Sequence, residues 1–318
     1  MSNVKMAPRR LAHFNLYVTD LARSTDFYHR VCGIHHIAGE PDVPIQFLTN
    51  GSSHHELGLI ELHEGDRIGR DGFVQGTTRK GQRPGLNHLG WEMQNEELLV
   101  DAYRRLLEEP HTFHTADHTI AHSVYVADPE GNMHEFFADT AYDWPQMLRG
   151  DLDRLTGKWD PLSAAPSKEA YFDRGIEHRA VQDAAVRPNR ISHGVLRVQD
   201  LNTMREWMQR VAGLEEVFSS EAEGRAMFRG ADSSGPVDLI LQQGGEGTDA
   251  LTRMAFQVPT YAELDDAMER LAKLQIPTAS STGSDTVRGF VLKDPDGLEI
   301  EFYAARDPAN LSVLAMVV

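Results

Sequence analysis

Hydrophobic and polar positions change period several times between Arg10 and Ala138. The stretch RLAHFNLYVTDLARSTDFYHRVCGI (Arg10–Ile34) predicts a strand, a turn at Asp20 and an amphipathic helix closed by Gly33. Short strands are expected at Ile45–Leu48 and His55–Leu62. Glu64–Pro84 is rich in Gly, Arg and polar residues without a period, and predicts a loop. A second unit opens with a strand at Leu86–Met93, continues in a helix from about Asn95 to Glu109, and ends in a hairpin within Ala116–Glu135. That hairpin is a strand, a tight DPEGN turn at Asp128–Asn132 and a return strand. Strand side chains alternate between faces. Ala121, Ser123 and Tyr125 therefore share one side, against His122 and Val124. In the return strand Met133, Glu135 and Phe137 share a side, opposite His134 and Phe136. If Tyr125 and Glu135 both point inward, a phenol and a carboxylate face one cavity.

The pattern then recurs. Arg190–Leu214 matches Arg10–Ile34, with His13 against His193, Asp20 against Asp200 and Gly33 against Gly213. Leu251–Val258 matches Leu86–Met93, and DPDGLEIEFYA (Asp294–Ala304) matches DPEGNMHEFFA (Asp128–Ala138). Repetition at this scale marks a duplicated supersecondary unit. The expected fold is α+β: four βαβββ modules in two tandem pairs, each pair an open, barrel-like curved sheet with helices outside. Residues 1–140 form the first pair, 141–188 a mostly helical connector and 189–318 the second pair. Met1–Pro8 is expected to be a loose tail.

Composition narrows the function classes. A formal charge of −17 argues against nucleic acid, because phosphate binding needs a basic face. No signal-peptide pattern opens the chain, and no apolar run approaches the roughly 18 residues that span a bilayer. A cytoplasmic protein without a membrane partner is expected. The single cysteine, Cys32, cannot form an internal disulfide and is expected to be buried. Exposed sheet edges in such module pairs predict a homo-oligomer.

Histidine is abundant, at 15 residues, and its placement matters more than its number. By strand parity His13 shares a face with Asn15 and Tyr17, and His88 shares one with Gly90 and Glu92. With Glu135 they place two imidazoles and a carboxylate, from three strands, where core apolar residues normally stand. This is the facial triad that holds non-haem Fe(II) with coordination positions left open; the same ligands suit Mn(II), Ni(II) or Zn(II). In the second pair the equivalent residues are His193, Arg253 and Glu301. A guanidinium cannot deprotonate and repels a metal, so an Arg253–Glu301 pair and a single metal site, in the first half, are predicted.

These residues carry a resemblance. The repeated modules and inward triad resemble the vicinal-oxygen-chelate superfamily, which includes glyoxalases, epimerases, resistance proteins and type I extradiol dioxygenases. His118, Val124-Tyr125, the Asp128–Gly131 turn and Glu135 resemble the motif of the ring-cleaving dioxygenases, as does the His-His pair opening HHELGLIEL (His54–Leu62). Dioxygenases of this kind keep the working site in the second pair, whereas this chain carries the motif in the first. The resemblance implies that His13, His88 and Glu135 bind Fe(II), with Mn(II) as the other candidate, and that O2 is the co-substrate. The partner it implies is a small aromatic vicinal diol. It implies that His55 is the acid–base residue, taking a proton from the diol and returning one as the O–O bond breaks. It further implies that Tyr125 and His118 hydrogen-bond the bound diol, giving a ring-opened semialdehyde-type product.

Several placements remain to be decided by the fold. His111 or His114 could replace His118. His54 should face away from His55, onto the surface; His122 and His134 fall on the outer face by parity; His35 and His36 are expected to be solvated. Glu61 shares a face with His55. In the glyoxalase branch a carboxylate near the end of this strand is a fourth ligand, and a His13–Glu61–His88–Glu135 set would resemble an isomerase or epimerase. A metal-free small-molecule binding protein is the third alternative.

Overall fold

The computed structural model describes residues 4–39, 44–68, 74–76, 83–141, 157–172, 180–244, 250–281 and 284–316. In the first half the elements are β1 (Arg10–Val18), α1 (Leu21–Arg30), β2 (His35–Gly39), β3 (Ile45–Thr49), β4 (Leu57–Glu61), β5 (Arg67–Ile68), β6 (Val74–Gly76), β7 (Gly85–Glu92), α2 (Glu96–Leu106), β8 (Phe113–Asp117), β9 (Ala121–Ala127) and β10 (Met133–Asp139). The second half contains β11 (Arg190–Val198), α3 (Leu201–Trp207), β12 (Glu215–Ser220), β13 (Arg225–Arg229), β14 (Leu239–Gln243), β15 (Leu251–Gln257), α4 (Tyr261–Lys273), β16 (Ala279–Ser281), β17 (Val287–Lys293) and β18 (Glu299–Ala305). Each helix starts where a short polar side chain satisfies a free amide: Asp20 accepts from Arg23 N, Asn95 from Leu98 N, Asp200 from Thr203 N and Thr260 from Glu263 N.

The strands form two open eight-stranded sheets of the same order, β2-β3-β4-β1-β7-β10-β9-β8 and β12-β13-β14-β11-β15-β18-β17-β16. Register repeats as well as order. In the first sheet Gly90 is opposite both His13 and Glu135, and His88 is opposite Asn15; in the second, Ala255 is opposite His193 and Glu301, and Arg253 is opposite Val195. Parity then divides each strand. Phe14, Leu16, Leu89, Trp91, Val124 and Phe136 turn to a buried apolar cluster that also takes Leu21 and Tyr28 of α1 and Leu99, Ala102 and Leu106 of α2. A fully buried side chain of this size contributes about 1.5–3 kcal/mol. His13, Asn15, His88, Ser123, Tyr125 and Glu135 turn the other way.

The halves dock by exchanging turns. Glu130 Oε1, in the first DPEG turn, accepts from Gln199 N (2.7 Å) and Asp200 N (3.1 Å) at the entry to α3. Reciprocally, Asp296 Oδ2 accepts from Thr19 N (2.9 Å) at the entry to α1, and Tyr28 donates to Asp294 (2.8 Å).

Four expectations change. Of the expected tail, residues 1–3 lie outside the described residues, and the rest is not loose: Val4 and Met6 are buried, and the amides of Lys5, Met6 and Ala7 donate to the carbonyls of Arg210, Val211 and Ala212. A polar pattern hid this because the partners lie two hundred residues away. The connector contains no helix among its described residues; Trp159 instead stacks on His122, 4.5 Å between ring centroids, and Ser167 N donates to Glu96. The helical expectation over residues 142–156 and 173–179 lies outside the described residues. Within the expected Glu64–Pro84 loop, β5 and β6 pair as a short ribbon, with 69–73 and 77–82 outside the described residues. Finally, β4 begins at Leu57, so His54 and His55 sit in the turn before the strand, where alternation does not apply. Among the described residues no helix is long and apolar enough to cross a membrane.

Candidate metal centre

β1, β7 and β10 are adjacent strands, and each brings one titratable side chain to the same face. His13 Nε2 lies 2.8 Å from Glu135 Oε2, His88 Nε2 lies 2.9 Å from the same oxygen, and the two nitrogens are 3.3 Å apart. All three residues are at least 95% buried, at 0%, 5% and 4% exposure. A cation about 2.1 Å from three mutually perpendicular donors needs donor separations of about 3.0 Å. The observed triangle has that size, and its nitrogen–oxygen donor set suits Fe(II) or Mn(II).

Neighbouring groups orient the donors. Ser123 donates to the other oxygen of Glu135 (2.6 Å), and Asn87 Oδ1 lies 2.5 Å from His88 Nδ1. His13 is held differently. Its Nδ1 is buried with no hydrogen-bond partner among the described residues, and its ring is stacked between His55 (4.1 Å, 24°) and Phe137 (5.2 Å, 22°). His13, His54 and His55 also cluster closely enough to hold a metal. Imidazole lone pairs lie in the ring plane, however, so the near-parallel rings of His13 and His55 direct theirs side by side, not to one point. The convergent set is His13, His88 and Glu135.

Charge follows from these contacts. Burial pushes His13 down to about 4 despite the pull of Glu135. Burial alone would raise the Glu135 carboxyl; the hydrogen bonds and charges of His13 and His88 override it and hold it well below the usual carboxylate range. His13 is thus neutral and Glu135 ionised near neutrality, the protonation states a cation needs of these two groups. Glu92, on the same strand as His88, is tied up with Arg9 (2.5 Å) and Arg10 (2.9 Å).

The remaining candidates surround the triad. His55 is buried, with Nε2 3.2 Å from Asn15 Oδ1, and burial together with His13 and His54 pushes its pKa well down. The Tyr125 hydroxyl is 2.8 Å from His118 Nε2, which is itself 3.5 Å from Glu135 Oε1. Burial, then the Glu135 charge, pushes the Tyr125 phenol well up, so it is a hydrogen-bond donor at neutral pH. His114 stacks on the Tyr125 ring (4.6 Å, 3°), while His111 lies 3.5 Å from Glu109; of the three histidines, His118 is the one hydrogen-bonded to the Tyr125 hydroxyl.

The duplicated fold is also seen in comparison with known proteins. The model of the Glyoxalase/Bleomycin resistance protein/Dioxygenase superfamily matches residues 10–136 and again 190–302. The chain belongs to this superfamily. Among superfamily members of known activity, biphenyl-2,3-diol 1,2-dioxygenase 3 of Rhodococcus globerulus is 29% identical over 171 residues, 51% of this chain and 82% of that protein. The structure of homoprotocatechuate 2,3-dioxygenase from Arthrobacter globiformis superposes with a TM-score of 0.66 at 17% identity, covering 97% of this chain and 84% of that one. A Mn(II)-bound glyoxalase from Novosphingobium aromaticivorans gives 0.63 at 14% identity, covering 94% and 82%. At such identities both structures establish the superfamily fold alone.

One histidine departs from the expected placement and another follows it. His54 is not on the surface: it is 4% exposed, bonded through Nδ1 to Asp139 (2.8 Å), with its ring 4.7 Å from that of His55. Burial lowers its pKa, but the Asp139 charge and hydrogen bond outweigh this and raise it. His134 is fully buried between Trp91, whose indole N–H donates to it (3.0 Å), and Asp128 (3.3 Å); it turns away from the triad as expected. Glu61 lies outside the triad. Its carboxylate accepts from Leu21 N (3.2 Å) at the start of α1, beside a surface cleft of about 980 Å³ that His29, His36 and Asp183 also line. Of His35 and His36, only His36 is freely exposed, and β2 carries both. Asn15 and Ser123 had signalled their place only through parity with His13 and Tyr125.

In the second half Arg253 reaches Glu301 (3.4 Å) and Glu299 (2.8 Å), the ion pair the duplicated motif predicted.

Proposed function

We propose that the first half is an extradiol dioxygenase site: Fe(II) held by His13, His88 and Glu135, acting with O2 on a small aromatic vicinal diol. The observation that carries this reading is the donor triangle with Tyr125 and His118 placed beside it. Mn(II) is the second metal the donor set accepts. Bound there, the metal would supply chelation of both diol oxygens and a position at which O2 reacts.

The side chains would do the rest. His55, buried and neutral, holds a free lone pair that accepts a proton as the diol binds and returns it readily when the ring opens, because its lowered pKa makes the imidazolium a good proton donor. Asn15 orients that ring through its contact with Nε2. Tyr125 and His118 hydrogen-bond the diol oxygens, and Phe47 and Phe137 present apolar walls beside His55 and His13. Both oxygen atoms of O2 enter the product, a ring-opened hydroxymuconic semialdehyde-type compound. The position of Glu61 at the α1 entry counts against the four-ligand isomerase reading.

The test is anaerobic loading with Fe(II), then addition of O2 and a panel of catechols. O2 uptake with a yellow ring-opened product is expected. No uptake with any catechol, together with Ni(II)- or Co(II)-dependent isomerase activity, would overturn the proposal.

A further inference from the structure

The two halves share strand order and register, so comparing them shows what else the metal face requires. Across β1, β7 and β10 the row reads His13–Gly90–Glu135, with Gly90 between the two ligands. The first ligand does not stand upright on its strand: its imidazole leans over Gly90 to reach the carboxylate. A Cβ built on Gly90 would lie 2.0 Å from His13 Nε2 and 2.2 Å from Cδ2 and Cε1. Real Cβ contacts are never so close, and the atom that would have to give way is the ligand nitrogen itself. The backbone of Gly90 needs no glycine for conformational reasons, since its φ is not in the left-handed region.

The second half provides the complementary case. Its row is His193–Ala255–Glu301. Ala255 is fully buried, and its methyl group occupies the register position that the missing side chain of Gly90 leaves open. His193 bonds through Nδ1 to Ser192 Oγ (3.0 Å), and Arg253 takes the place of the second ligand, paired with Glu301 (3.4 Å). The fold therefore accepts alanine at this position while the metal face does not form.

We propose that Gly90 is a positioning residue of the metal centre, and that two register-equivalent pairs, Gly90/Ala255 and His88/Arg253, decide which half binds metal. Histidine at the second ligand position is not sufficient; the residue two places on must also lack a side chain. This inference rests on His13, His88 and Glu135 being the ligands, but not on the reaction they support.

Co(II) titration of the full chain, followed by calorimetry, visible absorption and metal analysis, tests it. Wild type should take up one equivalent. Gly90→Ala should keep its thermal unfolding but lose affinity roughly 10- to 100-fold, the range seen when a ligand's orientation is disturbed. Arg253→His alone should still give one equivalent, and Arg253→His/Ala255→Gly should give two, returning to one when His193→Ala is added. Failure of wild type to bind any Co(II) would count against the ligand set itself. Binding by wild type and Gly90→Ala with equal affinity, or a second equivalent in Arg253→His without Ala255→Gly, would overturn the role of Gly90. Should Gly90→Ala not fold, the second-half variants decide the question alone.

Discussion

The imidazole of His55 lies face to face with that of His13, centroids 4.1 Å apart, so the proposed acid–base residue is also part of the clamp on a proposed ligand. The two roles can be separated. His55→Phe keeps an aromatic face against His13 but removes the proton acceptor. Metal affinity should stay near wild type while kcat falls roughly 10²- to 10⁴-fold, the usual worth of a positioned acid–base group. His55→Ala should lower both. Metal analysis beside O2-uptake kinetics distinguishes the outcomes; equal kcat for His55→Phe and wild type would remove His55 from the chemistry.

Ser123 donates to the Glu135 oxygen that His13 and His88 do not approach. Ser123→Ala should free the carboxylate to rotate and weaken metal binding roughly tenfold, with little effect on folding. Calorimetric titration with Co(II) reads this directly.

Glu61 separates the two enzyme readings. Its carboxylate accepts from Leu21 N at the positive end of α1, where an anion contributes about 0.3–1 kcal/mol. Glu61→Gln should therefore cost a fraction of a kcal/mol in urea unfolding and leave metal affinity unchanged. A large loss of metal would restore it as a fourth ligand.

His193 predicts an acid-sensitive fold. Burial lowers its pKa to about 4, with Arg253 and Arg190 reinforcing the shift and Glu301 opposing it. A histidine depressed in the folded state contributes stability above its unfolded pKa of 6.5, and that contribution is lost as pH falls from there towards 4. Between pH 7.5 and 5 its share amounts to about 2 kcal/mol. His193→Gln should flatten the pH dependence of urea unfolding by that amount. An unchanged slope would mean that His193 is hydrated in the folded protein.

Much of this was legible along the chain because local patterns carried it. The caps at Asp20, Asn95, Asp200 and Thr260 mark helix starts wherever the chain is placed, and alternation in β1, β7 and β10 put His13, His88 and Glu135 on one face. The same alternation failed at His54, because Gly51–Glu56 is a turn held by Glu56, which accepts from Asn50 N (2.7 Å) and Ser52 N (2.9 Å). Parity has no meaning where the backbone is not extended. Nor could it show that Val4 and Met6 are buried, since the surface that covers them comes from the other half.

The sequence alone determined the duplicated α+β architecture, the side of β1, β7 and β10 that carries His13, His88 and Glu135, and that the second copy has Arg253 where the first has His88. These follow from period and from the identity of single residues. Only the tertiary structure decided that Glu61 caps a helix instead of joining the triad, that His54 turns inward to Asp139, and that Gly90 lies under the His13 ring. Each of those depends on register between strands far apart in the chain, where a shift of one residue reverses every face.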